Sequence, residues 1–133
     1  MTHSLERVEQ SITGSPFFKH MGFKITEFEE DRVVLTFEMQ NHAININGNL
    51  HGGVQASMLD IVMGMAIRAL TRKDCVTLNL NIHYLVAVSK GVLTATATII
   101  QKGYKIVTVE ADLKTEEGLV VSKGIGTFKV IHS

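Results

Sequence analysis

The run His51-Gly52-Gly53 and Asp60, within the segment NINGNLHGGVQASMLD that starts at Asn45, are the residues whose types and spacing could hold an oxyanion near a carboxylate. Two glycines at the opening of a helix carry no side chains. Unpaired backbone N–H groups and the positive end of the helix dipole can then approach a ligand oxygen closely. A developing oxyanion needs such donors, each contributing about 3 kcal/mol. At about 100° per residue, Asp60 falls almost on the stripe of Gly53 and beside Ser57 and Gly64, so one carboxylate points along a groove of small residues. It can activate water or attack directly, and the residues alone leave both routes open. Ser57 has no Gly-x-Ser-x-Gly elbow and reads as a groove residue.

What is missing narrows the chemistry. The six histidines and Cys75 show no metal-ligand spacing, so no metal is expected, and Gly52-Gly53 has neither the lysine of a phosphate loop nor a dinucleotide spacing. Thirteen basic residues balance thirteen acidic ones without a block of like charge, which argues against a nucleic-acid partner. A lone cysteine forms no internal disulfide and suits a reducing compartment. The N-terminus lacks a signal peptide's basic start and apolar run, so a cytoplasmic protein is expected. Met58 to Leu70 is the longest apolar stretch; interrupted by Asp60, Gly64 and Arg68, it reads as a core helix too short to span a membrane. The length predicts one domain over residues 1–133.

The elements that must position these residues follow from periodicity. Leu5, Val8 and Ile12 mark a short amphipathic helix ended by Gly14-Ser15-Pro16, after which Phe17 and Phe18 clamp onto the core. Phe23 to Phe28 and Arg32 to Gln40 form a hairpin around Glu29-Glu30-Asp31. Asn41 to Leu50, rich in asparagine, is a loop. Apolar side chains lie almost all the way round the next helix, which must be largely buried. Val76 to Leu85 alternates Val76, Leu78, Leu80, Ile82 and Tyr84 with Thr77, Asn79, Asn81 and His83, predicting one covered face. Strands over Val92 to Gln101, Tyr104 to Lys114 and Leu119 to Ile131 follow, with turns at Lys102-Gly103 and Glu116-Glu117-Gly118. The order is helix, two strands, long helix, four strands: an α+β chain whose antiparallel sheet wraps the long helix.

Asn45, Leu50-His51-Gly52-Gly53 and Asp60, on that element order, resemble the signature of hotdog-fold acyl-CoA thioesterases of the phenylacetate-pathway (PaaI-like) type. The resemblance implies a curved sheet of about six strands around one central helix, and hydrolysis of acyl-CoA to free acid and coenzyme A, which is substrate and not cofactor. It implies that Asp60 is nucleophile or general base, that Gly53 with Gly52 offers backbone N–H to the carbonyl, and that His51 and Asn45 orient that corner. Thr77 matches a Ser or Thr that assists the attacking water. Relatives often carry an Arg-Pro pair after this strand, whereas this chain reads Leu85-Val86-Ala87-Val88-Ser89-Lys90. Positive charge for the nucleotide would then fall to Lys90, Lys102 and Lys105, and the acyl group would rest among Met58, Met63, Met65 and phenylalanines. Gly53 and Asp60 are about 10 Å apart along a helix. The site is therefore expected to be shared across a homodimer, which in similar proteins pairs into tetramers. The other readings are a hotdog hydratase or dehydratase with His51 as the essential base, and an acyl-CoA-binding sensor domain without turnover.

Overall fold

The computed structural model of the chain describes residues 3–132, so the expected domain limits at Met1 and Ser133 lie outside the described residues. Ser4 accepts from the Arg7 N–H and starts helix α1 (Leu5–Thr13), which Gly14 ends. Ser15-Pro16, read above only as a terminator, opens a second short helix, α2 (Pro16–Met21). The physical reason is that a capping serine followed by proline at the first helical position is also a start signal. Ser15 Oγ accepts from the Phe18 N–H at 3.3 Å, and α2 buries Phe18 and Met21. Gly22, at φ 82°, turns the chain out of α2 into the sheet.

Strands β1 (Lys24–Glu29) and β2 (Arg32–Glu38) form the expected hairpin. A one-turn 3₁₀ helix at Asn41–Ala43 begins the asparagine-rich loop, and the long helix α3 spans Gly52–Thr71. Strands β3 (Cys75–Tyr84), β4 (Val92–Lys102), β5 (Ile106–Thr115) and β6 (Val120–Val130) complete one antiparallel sheet in the order β1-β2-β4-β5-β6-β3. Leu59, Val62, Met63 and Ile67 of α3 are fully buried with Leu35, Leu93, Val107, Leu113 and Val121 of the sheet. At 20 residues α3 is long and apolar enough to cross a bilayer, unlike the Met58 to Leu70 stretch read above. The fold buries most of its apolar side chains against the sheet instead.

Strand β3 departs from simple alternation, and the departure shapes the site. Thr77 pairs with Phe128 and Asn79 with Thr127, which leaves Leu78 as the extra residue of a β-bulge. Cys75 and Thr77 therefore face the helix before the bulge, and Leu80, Ile82 and Tyr84 face it afterwards. Val76 and Leu78, expected on the covered face, are 45% and 54% exposed. Opposite Leu80, Gly126 leaves room for Met63: a Cβ there would stand 2.6 Å from its sulfur and 2.8 Å from the Phe128 ring. Gly126→Ala should lower stability by about 1–3 kcal/mol. A fall in the urea midpoint at unchanged m-value would report it.

Candidate active site

Two groups of side chains stand out, at successive positions along α3. At its N-terminus, His51 caps the helix, its Nδ1 accepting the Gly53 N–H at 2.8 Å. Accepting at Nδ1 places the neutral ring's proton on Nε2, so the imidazole presents an N–H donor outward. Gly53 is small because the ring lies over it; a Cβ would come within 3.0 Å of Nδ1. The Gly53 N–H, expected to serve the substrate carbonyl, is thus engaged by His51. Among the described residues, no acceptor takes the N–H of Gly52. Tyr84, at the end of β3, donates to the Gly52 carbonyl at 3.1 Å, and Ser57 Oγ donates to the Gly53 carbonyl at 2.8 Å. Hydroxyls therefore occupy both carbonyls, leaving the corner's outward face to donors.

Asn45 organises the loop leading into this corner. Its side-chain oxygen accepts the N–H groups of Asn47 at 2.9 Å and Asn49 at 3.0 Å, while Ile44 and Leu50 form an isolated antiparallel bridge. The His51 N–H then donates to the Ala43 carbonyl at 2.8 Å. Asn45 positions His51 through the loop's backbone.

About two turns further along α3, Asp60 is half-buried and accepts the Thr77 hydroxyl proton at 2.6 Å on Oδ1. A short bond of this kind, with an ionised acceptor, fixes the carboxylate's rotamer. The two residues line a cavity of about 320 Å³ with Ile12, Phe17, Phe18, Gly64 and Phe128. Met58, Met63 and Met65, expected around the acyl group, are fully buried core instead. None of the three lines the cavity, which opens toward α1 and α2, an arrangement invisible without α2.

His51, Gly52 and Gly53 do not line the Asp60 cavity. The structure joins Asp60 to Thr77 and joins His51 to Gly52, Gly53 and Ser57, but keeps these groups apart within one protomer. Lys90 borders a separate cavity beside the asparagine loop, with Asn41, Ile44 and Gly48. Lys102 and Lys105 flank the β4–β5 turn beyond the other end of the helix, so the three lysines form no common patch. Tyr84 and Arg68 are functional candidates missed above: Tyr84 looked like one more apolar strand residue, and Arg68 like an interruption of the helix. Arg68 lies eight residues after Asp60 on the same stripe, a spacing legible in the sequence.

A curved antiparallel sheet wrapped around one long helix is the hotdog architecture of the thioesterase structures this chain resembles. The chain belongs to the thioesterase superfamily, whose family model matches residues 47–122. It is similar to a thioesterase of known structure from Haemophilus influenzae, at 30% identity and a TM-score of 0.87, covering 99% of this chain and 93% of that one. A thioesterase from Streptococcus pneumoniae, solved with coenzyme A, is 29% identical with a TM-score of 0.79, covering 84% and 90% of the two chains. The medium/long-chain acyl-CoA thioesterase YigI of Escherichia coli K12 is 26% identical over 92% of this chain and 90% of its own.

Cys75 also lines the Asp60 cavity, and burial pushes its thiol above the ordinary value of 9.0, an effect that the nearby Arg68 charge partly offsets. The thiol therefore stays protonated at neutral pH and is no nucleophile. Native protein should react with Ellman's reagent at pH 8 at least about tenfold more slowly than urea-unfolded protein. The raised value also sets a direction for stability. Its contribution is complete below 9.0 and is lost as pH rises past 9.0 through the higher folded value, which urea midpoints between pH 8 and 10 would follow.

Proposed function

We propose that the protein hydrolyses acyl-CoA thioesters, with Asp60 and Thr77 of one subunit acting against the His51-Gly52 corner of another. The Asp60–Thr77 hydrogen bond carries this reading. Asp60 is the general base: it takes a proton from water as the water oxygen bonds to the thioester carbon, and the resulting oxyanion is held by the Gly52 N–H and the His51 Nε2–H. Thr77, its own proton committed to Asp60, accepts the water's second hydrogen. Collapse of the tetrahedral intermediate breaks the carbon–sulfur bond, and Asp60 returns its proton to the departing thiolate. Coenzyme A as the thiol carrier is supported by the relatives, one named an acyl-CoA thioesterase and another crystallised with coenzyme A. The Streptococcus pneumoniae thioesterase has also been crystallised with an aspartate or a threonine replaced by alanine.

Geometry supports a shared site. Polarisation and attack must meet within about 3–3.5 Å of one carbon, whereas the two corners lie about 10 Å apart along α3. Strand β3 is a free edge of the sheet, and Val76, Leu78, Tyr84 and Leu85 along it are exposed. One end of β3 touches Asp60 through Thr77, and the other touches Gly52 through Tyr84. Antiparallel pairing of two β3 edges about a two-fold axis sets the Tyr84 end of one chain beside the Thr77 end of its partner. That brings each Asp60 toward the other chain's His51-Gly52 corner. On the outer sheet face Ile106 and Ile125 are exposed, and we assign this face to the pairing of two dimers.

Asp60→Asn, nearly isosteric and uncharged, should lower kcat by about 100-fold or more with the fold intact. His51→Ala and Asn45→Ala should cost less, because they disturb donors and loop rather than the base. Steady-state rates on an acyl-CoA panel check this order; a larger loss at His51, with hydration of enoyl-CoA, would mark a hydratase instead.

Sharing has its own test. Asp60→Asn and Gly53→Pro subunits, each inactive alone, should regain activity when mixed under conditions of verified subunit exchange, since each heterodimer holds one intact site. Absence of recovery, or a fully active monomer, would refute the shared site.

A further inference from the structure

The cavity in front of Asp60 ends in a charge. Asp60, Gly64 and Arg68 follow one another on α3 at four-residue steps, about 6 Å apart along the axis, and all three line that cavity. Arg68 does not run out to solvent; its side chain is 27% exposed and folds back over Gly64. A Cβ on Gly64 would stand 2.6 Å from Arg68 Nη1, so only glycine leaves the guanidinium this place. Two other contacts fix the plane: Nη2 donates to the Cys75 carbonyl at 3.1 Å, and Nε lies 3.6 Å from Asp74 Oδ1. Nη1 has no acceptor among the described residues. On its far side Arg68 also borders a second cavity with Arg7, Arg72 and Lys73, and Asp74, its ion-pair partner, lines both cavities.

With Nη2 and Nε engaged, Nη1 is the guanidinium nitrogen left to donate to a ligand carboxylate, and an apolar tail pressed against it would strip water from Nη1 without replacing it. Ile12, Phe17, Phe18, Ile61 and Phe128 meanwhile supply apolar wall to this cavity, beside the polar Ser11, Ser15 and Asp74. Such a cavity suits a short methylene chain with a polar end. Building on the acyl-CoA reading above, we infer that Arg68 is a specificity-determining residue that binds the free carboxylate of dicarboxylic mono-thioesters. With the thioester carbon at Asp60 and Nη1 one helical turn away, the acyl chain has about four to six carbons.

The test compares kcat/KM for length-matched CoA thioesters: glutaryl against pentanoyl, and adipoyl against hexanoyl. The wild-type protein should prefer the carboxylated member of a pair by about tenfold or more. Arg68→Gln should collapse that ratio, and Arg68→Lys, which keeps the charge without the held Nη1, should restore part of it. Thermal melts establish that each variant is folded. Should Arg68→Gln not fold, the wild-type ratio together with Arg68→Lys decides. Equal loss on both members, accompanied by weaker inhibition by free coenzyme A, would place Arg68 on the nucleotide phosphates and overturn the inference. So would wild-type turnover without preference, which leaves the acyl-CoA reading standing. Turnover of no thioester at all would overturn both.

Discussion

Burial of α3 is the constraint on which the rest of the structure depends. A helix apolar on nearly every side cannot rest against a single surface, so the sheet must curve around it and α1 and α2 must close what the sheet leaves open. The packing of Leu59, Val62, Met63 and Ile67 against β2, β4, β5 and β6 fixes the helix in rotation as well as position. Asp60 has no freedom once that rotation is set. It points to the gap between the sheet's β3 edge and the N-terminal helices, where a carboxylate keeps access to solvent and to a hydroxyl.

The β3 bulge then matches sheet to helix. With unbroken alternation from Leu80 backward, Val76 and Leu78 would face α3 and Thr77 would point outward. One unpaired residue reverses that order, so the same strand delivers a hydroxyl to Asp60 at one end and a phenol to Gly52 at the other. Bulges serve this purpose elsewhere, re-aiming a side chain where regular pairing would bury the wrong one. Here the bulge also leaves Val76 and Leu78 exposed on a free edge, which favours association with a second edge over a solitary strand.

Charge is distributed along α3 in an order that suits an acyl thioester. Donors sit at the N-terminus, where the helix dipole already favours negative charge. The carboxylate lies further along, and the guanidinium comes one to two turns later, toward the negative end of the dipole, where a cation is most at ease. Each charged group is held by a neighbour that spends only part of its hydrogen-bonding capacity: Thr77 takes one oxygen of Asp60, while Cys75 and Asp74 engage two of the three nitrogens of Arg68. The atoms left over face the cavity.

Periodicity alone determined the order of α1, α3 and the six strands, because an all-round apolar helix and alternating strands have few compatible packings. The turn chemistry of Asn41 to Leu50 and the glycines at the helix start likewise singled out the His51 corner and Asp60 as candidates. The start of α2 was also written in Ser15-Pro16, although a short helix carries too little periodicity to outweigh the terminator reading of the same residues. Tertiary structure decided what depends on neighbours distant in sequence. Only pairing with β6 reveals that Leu78 is bulged and Thr77 turned inward. Only the folded corner shows that His51 takes the Gly53 N–H and leaves that of Gly52, because the ring's position depends on the absence of a side chain beneath it. And only the closing of α1 and α2 over α3 makes a cavity in which Arg68, one more polar break in an apolar run when seen in sequence, stands opposite Asp60.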